Sequence, residues 1–170
     1  MTRVLVAYAT KMGGTKEIAE AIGDEFRRAQ LAVVVANARD VANTDGFDAL
    51  VLGSAVYTGR WRREAVRVLA QHADHEKAIP TWLFQSGPCG ADAAKQLPAS
   101  QKVSRLAAMV GADPPVTFGG RLLQETAKGF LANKMAKGPL AGDFRDFERI
   151  RGWADDISVQ LLAAHETEPR

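Results

Sequence analysis

Residues 4–15 read Val4-Leu5-Val6-Ala7-Tyr8-Ala9-Thr10-Lys11-Met12-Gly13-Gly14-Thr15, an apolar run that ends in a glycine turn and opens a helical pattern. The first six residues are nearly continuous in hydrophobicity rather than alternating. Strands covered on both faces read this way, as they do in parallel sheets. In the turn, two glycines let the backbone wrap tightly and aim successive N–H groups inward. The hydroxyls of Thr10 and Thr15 add donors, and the start of a helix adds partial positive charge. The result is a phosphate cradle that needs no arginine; the plainer reading is a turn with an N-cap threonine. The Gly-Lys-Ser/Thr ending of a triphosphatase loop and the Gly-x-Gly-x-x-Gly of a dinucleotide loop are both missing from this turn.

Outward from this stretch, four more apolar runs follow: Leu31–Ala36, Ala49–Gly53, Thr81–Gln85 and Val116–Gly119. Amphipathic segments alternate with them. Ile18, Ile22 and Phe26 share a face of a helix over about 15–29, and Ala65, Val66 and Leu69 mark another that begins near Trp61. Leu106 and Val110 suggest a weaker helix after Pro98. Phe147, Ile150, Ala154, Ile157, Leu161 and Ala164 repeat at three- and four-residue steps along a closing helix, with Asp143 placed to cap it. Strand-helix alternation of this kind implies a doubly wound α/β domain, assigned to residues 1–165 with a short tail at 166–170. The stretch between Gly120 and Asp143 exceeds the ~2–6 residues usual for a strand-to-helix connection. Its interior, Leu123–Met135, predicts an inserted amphipathic helix.

The totals narrow the function classes. The chain has 170 residues, 46% hydrophobic and 25% charged, with a net charge of +2. That balance gives no ground for a nucleic-acid partner. The single cysteine, Cys89, allows no disulfide within the chain and suits a reducing compartment. The N-terminus has neither the apolar length nor the cleavage site of a signal peptide, and no stretch approaches the ~20 apolar residues of a membrane span. A cytoplasmic setting is expected, with membrane contact only at the surface. His72, His75 and His165 show no ligand spacing, so no metal is assigned.

Three loops leave carboxyl ends of strands, where open α/β sheets bind their ligands. The first, with its hydroxyl-x-x-Gly-x-Thr turn after a Val-Leu-Val-x-Tyr strand, resembles the FMN-phosphate loop of flavodoxins. The resemblance extends through all five strands and the last helix. It implies a three-layer flavodoxin-like fold: a five-stranded parallel sheet of order 2-1-3-4-5, helices on both faces, and here an inserted helix after strand five. It also implies FMN as cofactor, with Thr10, Lys11, Met12, Gly13, Gly14 and Thr15 around the phosphate. Met12 and Gly14 stand where flavodoxins carry polar side chains, which implies weaker retention. The second loop, Gly53-Ser54-Ala55-Val56-Tyr57-Thr58-Gly59-Arg60-Trp61, would cover one face of the flavin. Ser54, Ala55, Val56 and Gly59 supply backbone there, while Tyr57 and Trp61 are candidates to flank the ring, with core packing the other reading of Trp61. In the third, Ser86-Gly87-Pro88-Cys89-Gly90, the backbone would line the ring edge; Cys89 reads either as a small filler or as a reactive thiol.

Three details resemble the menaquinone-dependent protoporphyrinogen oxidase branch of the family: Gly53-Ser54-x-x-Tyr57-x-Gly59, the strand end Phe118-Gly119-Gly120-Arg121-Leu122, and a basic insert before an Asp143-Phe144…Trp153 closing helix. That resemblance implies an oxidoreductase moving electrons from a small-molecule substrate through flavin to a membrane quinone, with Tyr57 and Arg60 as catalytic candidates. The other class is an electron carrier that docks on redox partner proteins. Arg60, Arg62 and Arg63 are expected beside the flavin, where a cation would stabilise its reduced, anionic form by roughly 1–4 kcal/mol and favour two-electron chemistry; alternatively they point to solvent. Lys128, Lys134 and Lys137 flank Leu123, Ala127, Phe130, Leu131 and Met135, a composition that predicts weak contact with anionic membranes, or else a cover for the sheet edge.

Overall fold

The computed structural model describes residues 1–167. Strand β1 (Arg3–Ala9) pairs in parallel with β2 (Ala32–Asn37) on one side and β3 (Ala49–Tyr57) on the other. Beyond a short strand β4 (Arg60–Trp61) come β5 (Thr81–Ser86) and β6 (Val116–Phe118), and the parallel path runs β2-β1-β3-β5-β6. This is the expected order 2-1-3-4-5, counted over the parallel strands.

The residues of β1 show why its apolar run does not alternate. Val4, Val6 and Tyr8 join a core with Ile18, Ile22 and Phe26 of helix α1 (Gly14–Arg28) and with Ile150, Ala154 and Ile157 of the closing helix. Leu5, Ala7 and Ala9 face the opposite way, toward Ala65, Val68 and Leu69 of α2 (Arg63–Ala73) and Val103 and Ala107 of α3 (Gln101–Met109). A period of two therefore buries every position, because each face of the sheet carries its own helical layer.

Four local details depart from the sequence expectation. The third strand continues to Tyr57 because Thr58 (φ 48°) and Gly59 (φ 72°) form a tight turn that folds β4 back on it, Val56 opposite Trp61 and Tyr57 opposite Arg60. Trp61 thus lies on a strand rather than at the start of a helix. Asp146, not Asp143, caps the closing helix: its Oδ1 accepts from the Arg149 N–H at 3.0 Å. Asp143 instead sits on a short strand and accepts from Arg145 Nε at 2.7 Å.

The insert carries a helix, but a short one. Strand β7 (Arg121–Leu122) pairs antiparallel with β8 (Gly142–Asp143), and between them α4 covers only Phe130–Met135. Gly129, at φ 99°, breaks the expected helical run from Leu123, since no right-handed helix passes through that conformation. The closing helix, α5, spans Phe147–Thr167, so the tail expected at 166–170 begins within it and, past Thr167, falls outside the described residues.

Gly53 has a packing reason. A Cβ there would stand 2.0 Å from Cζ of Phe84, a wholly buried ring that stacks edge-on against Trp153 at 6.1 Å. Gly53→Ala is expected to destabilise the fold by about 1–3 kcal/mol through overpacking, read as a lower denaturant midpoint with the slope unchanged.

Candidate functional site

The carboxyl ends of β1, β3 and β5 open at one edge of the sheet onto a cavity of about 500 Å³. The first wall is the turn between β1 and α1. Gly13 adopts φ 85° and its N–H donates to Thr10 Oγ1 at 2.9 Å, which curls the loop; no side chain caps α1, so its opening N–H groups face no capping oxygen. Thr10, Lys11, Met12, Gly14 and Thr15 line the cavity. Thr15 is buried, and its hydroxyl shares a 2.9 Å hydrogen bond with that of Ser86 from the β5 loop, tying two walls together.

The second wall is Ala55, Val56 and Tyr57 with Thr58 at the turn. Ser54 lies behind it, wholly buried, donating to the Ala55 carbonyl and accepting from the Arg62 N–H. Burial pushes the Tyr57 phenol above its ordinary pKa against the opposing charge of Arg62, so it stays protonated. Lys11 Nζ lies 5.4 Å from the centre of the Tyr57 ring, bridging the first two walls. Ser86, Gly87 and Cys89 make the third wall; Pro88 sits behind, its carbonyl accepting from the Gly120 N–H at 2.7 Å. A Cβ on Gly87 would come within 3.2 Å of the Val56 carbonyl, so the two loops approach as closely as glycine permits. Burial, aided by the charge of Asp143, raises the Cys89 thiol, which therefore stays neutral and weakly nucleophilic.

Trp61, Arg60 and Gly59 lie outside this lining. The Trp61 indole is buried and donates to Gln85 Oε1 at 2.9 Å. Arg60 and Arg63 are exposed, and Arg62 pairs with Glu64 at 3.3 Å, so none of the three lines the cavity. The cations that do line it are Lys11, Arg121 and Lys128. Arg121 carries no cofactor role in the sequence analysis, although Gly120-Arg121-Leu122 follows β6 at the same edge as the other loops. The insert has no cavity role there either, yet Gly129, Phe130, Leu131, Ala132, Met135 and Leu140 form the outer wall.

The insert is held against the phosphate-type loop by charge. Arg121 Nη1 donates to Glu17 Oε2 at 2.6 Å, and Arg145, almost fully buried, bonds the same oxygen and Asp143. Burial works to raise the Glu17 carboxyl, but the bonds and charges of Arg145 and Arg121 outweigh it and hold it below its ordinary range. The Arg145 bond lowers Asp143 in the same way, against a smaller effect of burial. Among the described residues no group of three or more His, Cys, Asp or Glu could hold a metal, and no helix is long and apolar enough to cross a membrane.

Residues 5–137 match the family model of the flavodoxin domain. The chain belongs to the flavodoxin domain family. Among solved structures it is similar to a flavodoxin of Streptococcus pneumoniae (TM-score 0.65, 19% identity, covering 94% of this chain and 99% of that one). An archaeal flavodoxin is similar too (TM-score 0.62, 15% identity, 94% and 98% covered). So is the rubredoxin oxygen:oxidoreductase of Desulfovibrio gigas (TM-score 0.65, 13% identity), of which this chain covers 37% while 96% of its own length is covered. Identities this low speak for the fold alone. A comparison with curated proteins found no match.

A flavodoxin domain holds FMN and transfers electrons, and the residues present fit that cofactor. The left-handed Gly13, the uncapped start of α1 and the Thr10 and Thr15 hydroxyls gather donors for one phosphate, and the cavity between the strand-end loops and the insert leaves room for a flat ring. Gly13→Val is expected to weaken FMN about tenfold, since a left-handed β-branched residue costs about 1–2 kcal/mol. Titration of flavin fluorescence measures this, and unchanged affinity would place the phosphate elsewhere.

Proposed function

We propose that this flavodoxin domain is an FMN-dependent oxidoreductase of the menaquinone-dependent protoporphyrinogen oxidase type, working in a reducing, cytoplasmic setting at a membrane surface. The observation that carries the reading is the outer wall of the cavity. Five apolar side chains of the insert, Phe130, Leu131, Ala132, Met135 and Leu140, extend the site past the three flavin loops, giving space for an apolar reactant beside the ring. Bound FMN supplies the redox chemistry, accepting hydrogen from one reactant and yielding electrons to another. The 10–15 loop would hold its phosphate, and Tyr57, protonated and beside Lys11, would set the near edge of the ring pocket. The insert would keep water from the reacting face.

The same insert supports contact with anionic lipid. Phe130 is 88% and Leu131 65% exposed, next to Lys128 and Lys134. Exposed apolar side chains flanked by lysines fit a headgroup surface, where each cation adds on the order of 1 kcal/mol. The second reading is an electron carrier docking on a partner protein. It is favoured by a second groove, lined by Arg60, Arg63 and Lys102 with Trp61 and Val66, whose charge suits an acidic partner.

Turnover separates the two readings. With protoporphyrinogen and a menaquinone analogue, anaerobic incubation is expected to yield porphyrin fluorescence that requires both protein and quinone. A flavin reduced only by a partner protein returns the chain to the carriers. Co-sedimentation with anionic vesicles at low salt is expected for the native chain and lost when Lys128, Lys134 and Lys137 become alanine; no pelleting of the native chain would leave the insert as a wall of the cavity only.

A further inference from the structure

Arg121 stands where the sequence called for no arginine. It comes from β7, far along the chain from the phosphate-type loop, yet its Nη2 lies 3.4 Å from the Met12 carbonyl. A Cβ on Gly13 would come within 3.3 Å of the same nitrogen, and one on Gly14 within 3.5 Å of the Arg121 Cβ. The side chain lines the cavity while only 14% exposed.

Its donor capacity is poorly used. Nη1 serves Glu17, Nη2 reaches Met12 only through the long contact just described, and Nε is buried with no acceptor. A guanidinium carries five donors in a planar fork that matches phosphate oxygens, and leaving them unspent when buried is costly. The loop beside it is short of donors in turn: Met12 and Gly14 carry no side-chain N–H or O–H. Shortage and surplus meet at one place.

We propose that Arg121 is a phosphate ligand of the cofactor, supplied by the insert, and that Glu17 holds its place until the phosphate arrives. The proposal rests on FMN occupying this cavity. Glu17 then has a defined role: its carboxylate, shared with Arg145, keeps the guanidinium beside the loop and competes with phosphate for it. Cofactor binding and docking of the insert are thereby one equilibrium, because the residue that meets the phosphate is also the one that fastens β7 to α1.

The experiment compares FMN with riboflavin, which has the ring and ribityl chain but no phosphate, by fluorescence titration of flavin-free protein. Arg121→Gln is expected to weaken FMN about tenfold or more while riboflavin changes less than twofold. Arg121→Lys, which keeps the charge without the fork, recovers part of that loss. Glu17→Gln is expected to move the other way, tightening FMN a few-fold with riboflavin unchanged. Equal weakening of both flavins in Arg121→Gln, or weaker FMN in Glu17→Gln, would mean that the arginine only braces the wall and would overturn the proposal. Unchanged FMN affinity in Arg121→Gln overturns it as well. A native chain that takes up neither flavin would instead remove the cofactor reading on which the proposal stands.

Discussion

Parallel pairing of β1 with β2 and β3 sends all their carboxyl ends to one edge, and it can persist only if both faces of the sheet are covered. Almost everything else answers to that requirement. Helices α1 and α5 bury Val4, Val6 and Tyr8 on one face, and α2 and α3 bury Leu5, Ala7 and Ala9 on the other. Because each crossover must return to the same starting edge, the loops that leave β1, β3 and β5 are forced together at the far one. The cavity is a consequence of the chain's direction, and the glycines at Gly13 and Gly87 let its walls approach closely, Gly13 to Arg121 and Gly87 to Val56.

The electrostatics of the site are decided by the insert rather than by the β3–β4 turn. Arg60 on the β3–β4 hairpin and Arg63 at the start of α2 are exposed, where water and salt screen them. The β7–β8 ribbon instead turns Arg121 and Arg145 inward onto Glu17, where burial makes each charge depend on its partner. Arg60, Arg62 and Arg63, expected beside the flavin, do not line the cavity; the cations that do are Lys11, Arg121 and Lys128.

Local chemistry explains which parts of this were legible beforehand. The five parallel strands, the first three helices and the closing helix are written in runs of apolar residues and in three- to four-residue repeats, and the structure places each within a few residues of its expected range. The errors fall where a single residue changes the path. Thr58-Gly59 turns a strand into a hairpin and buries Trp61; Gly129 stops a helix that its neighbours would continue. Asp143 and Asp146 are equally good caps by composition, and only the pairing of β8 with β7 takes Asp143 out of contention.

The order of strands and helices, the glycine loop and its suitability for one phosphate were determined by the sequence itself, because neighbouring residues carry those signals. Tertiary structure alone decided which charges meet the site. Glu17, Arg121 and Arg145 are separated by more than a hundred residues at their extremes, and no periodicity or motif relates them. Their meeting depends on the antiparallel pairing of two-residue strands and on the burial of Arg145, both long-range events. A charge acts through distance and dielectric, and neither is defined until the chain has folded.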